Sequence, residues 1–139
     1  MKLTRRYRFS ASHRLDTPAL SAIENQRLYG KCNNPFGHGH DYVLDVTVEG
    51  PIDRTGQVAD RRALDALVNE RILQRFDHKN LSKDVDRLAG IVATTENLAA
   101  AIRDALTADW PLPARLARVR ISETDRNIFE LEVPESRIS

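Results

Sequence analysis

Apolar and polar residues alternate over four stretches of the chain and recur at helical spacing over two others. In residues 3–11, Leu3, Tyr7, Phe9 and Ala11 share one side, interrupted by Arg5. This pattern predicts a half-buried strand. From His38 onward, His38, His40, Tyr42, Leu44, Val46 and Val48 share one parity, while Asp45 and Glu49 take the other. Val119 and Ile121 mark a third strand with Glu123 in phase, and Phe129, Leu131 and Val133 mark a fourth after a turn at Asp125-Arg126-Asn127. Helical spacing follows Asp60, a plausible N-cap, through Leu64, Leu67, Val68 and Ile72. It returns after Thr94 or Thr95 through Leu98, Ile102 and Leu106, with Pro111 and Pro113 as the stop. Residues 14–37 show no clear period and are punctuated by Pro18, Gly30, Pro35 and Gly37, so they read as a long functional or mobile loop. Asp53-Arg54-Thr55-Gly56 reads as a turn, followed by a short extended piece at 57–59. The order is strand, strand, helix, helix, strand, strand. That is an α+β plan, a four-stranded antiparallel sheet with two helices on one face.

Composition narrows the function class. The chain has 139 residues, 41% hydrophobic and 29% charged, which suits one globular domain over 1–139. With 21 Lys+Arg against 20 Asp+Glu and a net charge of +1, nothing favours nucleic acid or a membrane surface as partner. No apolar run approaches the roughly 20 residues of a spanning helix. The first residues, Met1-Lys2-Leu3-Thr4-Arg5-Arg6-Tyr7, hold no apolar signal segment. A single cysteine, Cys32, forms no intrachain disulfide and fits a reducing cytoplasm. Phosphate loops and nucleophile elbows are absent, so triphosphatase and serine-hydrolase chemistry find no support.

Four histidines carry the candidate chemistry: His13, His38, His40 and His78. His38 and His40 lie one residue apart at the head of a strand, so their rings share a face. His13 follows the first strand in phase with Tyr7 and Phe9, and antiparallel pairing of the two strands brings the three rings together. Neutral imidazoles suit Zn²⁺, and three protein ligands leave a fourth position open. Nickel and copper also accept imidazole. The competing reading is a chance His-x-His pair on a solvated loop. Cys32 lies among turn-forming residues, where Lys31 and a neighbouring dication would lower its pKa and make it a base. Alternatively it closes a structural site as a fourth ligand. Asp77-His78 is either a solvated turn or a dyad folded carboxylate to ring. Glu123, on apolar parity, is either a surface residue or a buried carboxylate that needs a donor-rich partner.

Taken together, Phe9-Ser10-Ala11-Ser12-His13-Arg14-Leu15, the run from Gly30-Lys31-Cys32 to His38-Gly39-His40, Asp77-His78-Lys79-Asn80-Leu81, Thr94-Thr95-Glu96-Asn97 and Glu123-Thr124-Asp125 resemble the 6-pyruvoyl-tetrahydropterin synthase family from about residue 3 to 131. The resemblance implies a tunnelling fold (T-fold) whose subunits join strands into barrels, with two trimers stacked as a hexamer. It also implies a zinc lyase that converts 7,8-dihydroneopterin triphosphate to 6-pyruvoyl-tetrahydropterin with loss of triphosphate, its active sites at subunit interfaces. By the same resemblance His13, His38 and His40 are the zinc ligands, Cys32 abstracts a proton, and Asp77-His78 relay protons. Glu123 anchors the pterin, with Thr94, Thr95 and Glu96 as further substrate contacts. Arg14, Lys31 and Lys79 are candidates for the triphosphate. The similar 6-carboxy-tetrahydropterin synthases of queuosine biosynthesis carry the cysteine closer to the His-x-His pair. The five residues 33–37 that separate Cys32 from His38 here favour the pyruvoyl branch. An alternative from another class is a zinc-stabilised assembly module without turnover. The stretch 16–26 matches no motif and reads as a mobile lid or a variable loop.

Overall fold

The parity of the strands sets the architecture. The computed structural model describes residues 1–135; the expected domain end at Ser139 lies outside them. Strands β1 (Lys2–His13), β2 (His38–Glu49), β3 (Arg115–Ser122) and β4 (Ile128–Glu132) form one antiparallel sheet in the order β1-β2-β3-β4. Phe9, Ala11, Tyr42, Leu44, Val46, Val48, Val119 and Ile121 turn inward and are buried. Phe129, Leu131 and Val133 pack partly against them, as the alternation predicts. A register shift between Thr47 and Val48 lets Leu116 and Ala117, neighbours in sequence, both be buried. Such a bulge re-aims side chains along one strand.

A layer of helices covers the inward face. Asp60 caps α2 (Arg61–Val68), its carboxylate accepting from the N–H groups of Arg62 and Ala63. The helix continues through a π-helical turn (Asn69–Leu73) into α3 (Gln74–Phe76). Leu64, Val68, Ile72 and Phe76 are all fully buried and spaced four apart. In a plain α-helix a four-residue step drifts by about 40°. The wider π turn takes up that drift and keeps all four side chains on the sheet. Thr94 caps α4 (Thr95–Thr107), accepting from the Asn97 N–H. Leu98, Ile102 and Leu106 are fully buried beneath it, each contributing about 1.5–3 kcal/mol by leaving water. The Arg71 guanidinium donates to the carbonyls of Leu106 and Asp109, each at 3.0 Å, and so satisfies the C-terminal end of α4.

Two expectations need correction. Residues 14–37 are not one irregular loop, because they contain helix α1 (Ala22–Tyr29) and a 3-10 turn (Gly30–Asn33). Ser21 and Glu24 form a reciprocal capping box at the start of α1. The only buried residue of α1 is Asn25, while Ile23 and Leu28 are exposed; hence no hydrophobic period marks the helix. Residues 57–59 form no strand. Their turn is instead held by the Asp53 carboxylate, which accepts from the backbone N–H groups of Thr55 and Gln57. None of the described helices is long and apolar enough to cross a membrane.

Candidate active site

The ends of three strands and one loop converge. The β1–β2 register pairs His13 with His38 and Ala11 with His40. The ring centroids of His13 and His40 lie 5.0 Å apart and those of His38 and His40 4.8 Å apart, both edge to face. The three rings are therefore neighbours, as antiparallel pairing requires. His13 is completely buried, and its Nδ1 lies 2.8 Å from the Ala93 carbonyl oxygen. A carbonyl only accepts, so Nδ1 carries the proton and Nε2 presents a lone pair. This is the orientation that fixes a metal-binding tautomer. Burial lowers the His13 pKa, with the neighbouring His40 adding to the effect and the Ala93 bond opposing it. Burial lowers His40 as well. Both rings are thus kept neutral and available as ligands.

Cys32 and Glu123 complete the cluster. The 3-10 turn brings the Cys32 Sγ to 3.3 Å from His13 Nε2 and 3.6 Å from His40 Nε2. Glu123 stands one residue beyond β3, on the parity of Val119 and Ile121. Its Oε1 lies 3.1 Å from His40 Nε2 and 3.9 Å from His13 Nε2. The ligand atoms of His13, Cys32, His40 and Glu123 all fall within 4.8 Å of one another. His38 adjoins this group through His40 without being one of the four. Burial, and after it the Glu123 charge, push the Cys32 thiol up. Two imidazoles, a thiol and a carboxylate converge as Lewis bases, and this donor set fits a borderline divalent cation.

Asp77 and His78 lie beside the edge of β1. Residues 78–81 run along it, with the His78 N–H donating to Ser10 O, the Ser12 N–H to Lys79 O and the Leu81 N–H to Ser12 O. His78 adopts φ 58. This left-handed backbone turns its ring onto the preceding carboxylate, with Nδ1 3.1 Å from Asp77 Oδ2. Asp77 Oδ1 accepts from the Ser10 N–H at 2.9 Å. The dyad geometry is therefore present. The His78 side chain is 82% exposed, and among the described residues no hydrogen bond or ion pair joins the dyad to Cys32, His13, His40 or Glu123. An open groove lined by Ser10, Ser12, Asp41, His78 and Lys79 runs along the dyad's side of β1, and of the four donors only His40 borders it.

The start of α4 lies against Tyr42, the residue next to His40 on the same face of β2. The Thr94 hydroxyl is used as the helix cap, and Glu96 is exposed. Thr95 is buried, and its hydroxyl faces that of Tyr42. The Tyr42 ring centroid is 5.7 Å from that of His40, and neither hydroxyl has a further partner among the described residues. Sequence reasoning placed Tyr42 in the core by parity without assigning it to the site. Its position two residues beyond His40 on the same face was the available signal.

Residues 2–134 match the family model described as 6-pyruvoyl tetrahydropterin synthase. The chain is 48% identical over 133 residues to the 6-pyruvoyl tetrahydrobiopterin synthase of Drosophila melanogaster, covering 95% of this chain and 79% of that one. It is 49% identical over 128 residues to the Homo sapiens protein of the same name, covering 91% and 88%. The solved structure of Caenorhabditis elegans 6-pyruvoyl tetrahydropterin synthase matches with a TM-score of 0.88 at 39% identity, covering 96% of each chain. With likeness running through both sequence and fold, and a sheet that ends in the donors just described, this chain belongs to the 6-pyruvoyl tetrahydropterin synthase family and has its tunnelling fold.

Proposed function

We propose that the chain is a carbon–oxygen lyase acting on 7,8-dihydroneopterin triphosphate, releasing triphosphate and forming 6-pyruvoyl-tetrahydropterin. The convergence of His13, His40, Cys32 and Glu123 at the strand ends carries this reading. His13 and His40, with the adjoining His38, are the residues we assign to hold zinc. Three protein ligands keep a position open for substrate and leave Cys32 and Glu123 free to act on it. Zinc at this site supplies Lewis-acid polarisation of the substrate side-chain oxygens.

Glu123 accepts two parallel hydrogen bonds from the 2-amino group and ring N–H of the pterin, a planar donor fork that matches a carboxylate. We assign Thr94, Thr95 and Glu96, at the start of α4, to the walls of the pterin site. Cys32 removes a proton from a side-chain carbon. Burial favours its thiol form, and positive charge beside it favours the thiolate. Triphosphate then leaves by elimination. His78, oriented by Asp77, returns a proton as the ring is reduced at the expense of the side chain, so no external reductant is consumed. The exposed dyad and the unpaired lengths of β1 and β4 at the sheet edges support a homo-oligomer, trimer or hexamer. In that assembly one subunit's His78 serves its neighbour's Cys32. A lone free thiol fits the cytoplasm as the working compartment.

Zinc-loaded protein incubated with 7,8-dihydroneopterin triphosphate tests the reading, with the products identified by mass spectrometry. The expected result is the 6-pyruvoyl product with one equivalent of triphosphate. A 6-carboxy product would move the chain to the other branch, and retained zinc without turnover would make it an assembly module.

A further inference from the structure

The segment between β1 and β2 holds two buried amides that the proposed chemistry does not use. Asn25 closes the first half of the loop. Its Nδ2 donates to the carbonyls of Thr17 and Ser21, each at 3.0 Å, and its Oδ1 accepts from the Thr17 N–H at 2.9 Å. Asn33 occupies the second half, immediately after Cys32. Its Nδ2 donates one hydrogen to Leu15 O at 2.7 Å and the other to Asp16 Oδ1 at 3.1 Å. The Leu15 N–H donates in turn to Cys32 O at 2.7 Å. Both backbone polar groups of Leu15 are therefore spent on residues 32 and 33.

Leu15 lies two residues beyond His13, so these bonds fix Cys32 relative to the buried imidazole it faces at 3.3 Å. The far end of the Cys32 loop is pinned to the same place. Gly37 adopts φ +79, and a Cβ there would fall 2.6 Å from His13 O, so the chain returns across His13 in a conformation and at a distance that only glycine tolerates.

We infer that Asn33 is a positioning residue for Cys32. Its amide clamps the cysteine turn to Leu15 and Asp16, holding the thiol at the mouth of the site. Residues 14–33 are by this account a scaffold for the thiol and not a lid. An asparagine is specifically required, because the two acceptors consume two donors on one short side chain. Aspartate has the same shape but would set a carboxylate against a carbonyl and the Asp16 carboxylate. The inference rests on the reading of Cys32 as the proton-abstracting group, yet it has a readout independent of turnover. Cys32 is the only thiol in the chain, so iodoacetamide reports its position alone.

The test compares zinc-loaded wild type, N33D and D16A for kcat, KM, zinc content and rate of alkylation at fixed pH. For N33D the expected result is a kcat lower by about 100-fold with KM within about two-fold, the scale for misplacing a reacting group by about 1 Å. Alkylation accelerates several-fold while zinc is retained. D16A removes one acceptor and leaves Leu15 O, so it shows the same split at about three- to ten-fold and serves if N33D does not fold. Unchanged alkylation in a folded variant overturns the inference, as does a raised KM with kcat retained. If wild type turns over no pterin triphosphate, the proposed function fails, while the alkylation rates still decide the role of Asn33.

Discussion

Arg5 and Glu123 both place charge on the inward face of the same sheet, and the chain treats them oppositely. Arg5 interrupts the apolar side of β1. Its guanidinium forms a two-pronged pair with Asp65 of α2, at 2.6 and 3.1 Å, and the Tyr7 hydroxyl donates to the same carboxylate at 2.6 Å. The Arg5 bonds, followed by those of Tyr7, hold the Asp65 carboxyl below its usual range. Each group there has its partner within the fold. Glu123 instead faces two imidazoles whose protonation burial suppresses, and a thiol that burial keeps neutral. Among the described residues no Lys or Arg pairs with it. A charge answered by the chain's own opposite charge holds the fold together. A carboxylate set among neutral bases leaves its charge unanswered within the fold, which is the condition the proposed function uses.

The largest effect should come from removing the thiol at the open end. C32A takes away the group assigned to proton abstraction, and turnover should fall by about 10²–10⁴-fold, the usual weight of a general base. Zinc content and thermal midpoint should stay near wild type. Loss of zinc together with stability would make Cys32 a structural ligand, so that both ends of the sheet would be closed circuits.

A pair of variants sharpens which residues hold the ion. E123Q puts an amide donor against a donor fork. Its kcat/KM should fall by about 2–4 kcal/mol, the scale for unpairing a buried charged hydrogen bond, or about 30- to 1000-fold. Zinc should remain. H38A should release zinc, because the proposed set then loses its third imidazole. The reverse result, zinc lost from E123Q and kept by H38A, would put the ion in the four-donor group of His13, Cys32, His40 and Glu123 and remove Glu123 from pterin binding.

Both ends of this comparison were partly legible in the sequence, for different reasons. Strand parity has a period of two and survives any register. It therefore placed His13, His40 and Glu123 on one face before the strands were paired, and the antiparallel pairing brought the two rings and the carboxylate together. Arg5 was visible only as an interruption, since its partner Asp65 lies 60 residues away on a helix. Helix α1 went unseen because its buried residue is an amide and its apolar side chains face water. The Ser21–Glu24 capping box was its one local signature. The brace from Asn33 to Leu15 and Asp16 left no pattern, because it joins two irregular segments through a side-chain amide. Four-residue spacing through Phe76 was in the sequence, but the π turn that makes it one face appears only in three dimensions.

The smallest effect should come from opening the closed end. D65N removes the charge that answers Arg5 and weakens the acceptor of the Tyr7 hydroxyl. It lies far along the sheet from Cys32, so kcat and KM at pH 7 should not change, in contrast to E123Q. The urea midpoint at pH 7 should fall modestly, because the side chains of Arg5 and Asp65 are each 37% exposed and water and salt screen the pair. The pH dependence gives the sign. The folded pKa of Asp65 lies below its ordinary value of 3.8, so the folded state binds this proton less readily than the unfolded chain. Ionised Asp65 therefore contributes its full stabilisation above about pH 3.8 and loses it as pH falls through the lower, folded value. Wild type should exceed D65N by a constant margin from pH 7 down to about 4, and the two should converge only in stronger acid. Raising salt at pH 7 should narrow the same gap. A margin that persisted unchanged into strong acid and high salt would mean that Asp65 holds Arg5 and Tyr7 by shape and neutral hydrogen bonding. The closed end would then owe its stability to packing, and charge pairing would no longer be what separates it from the site.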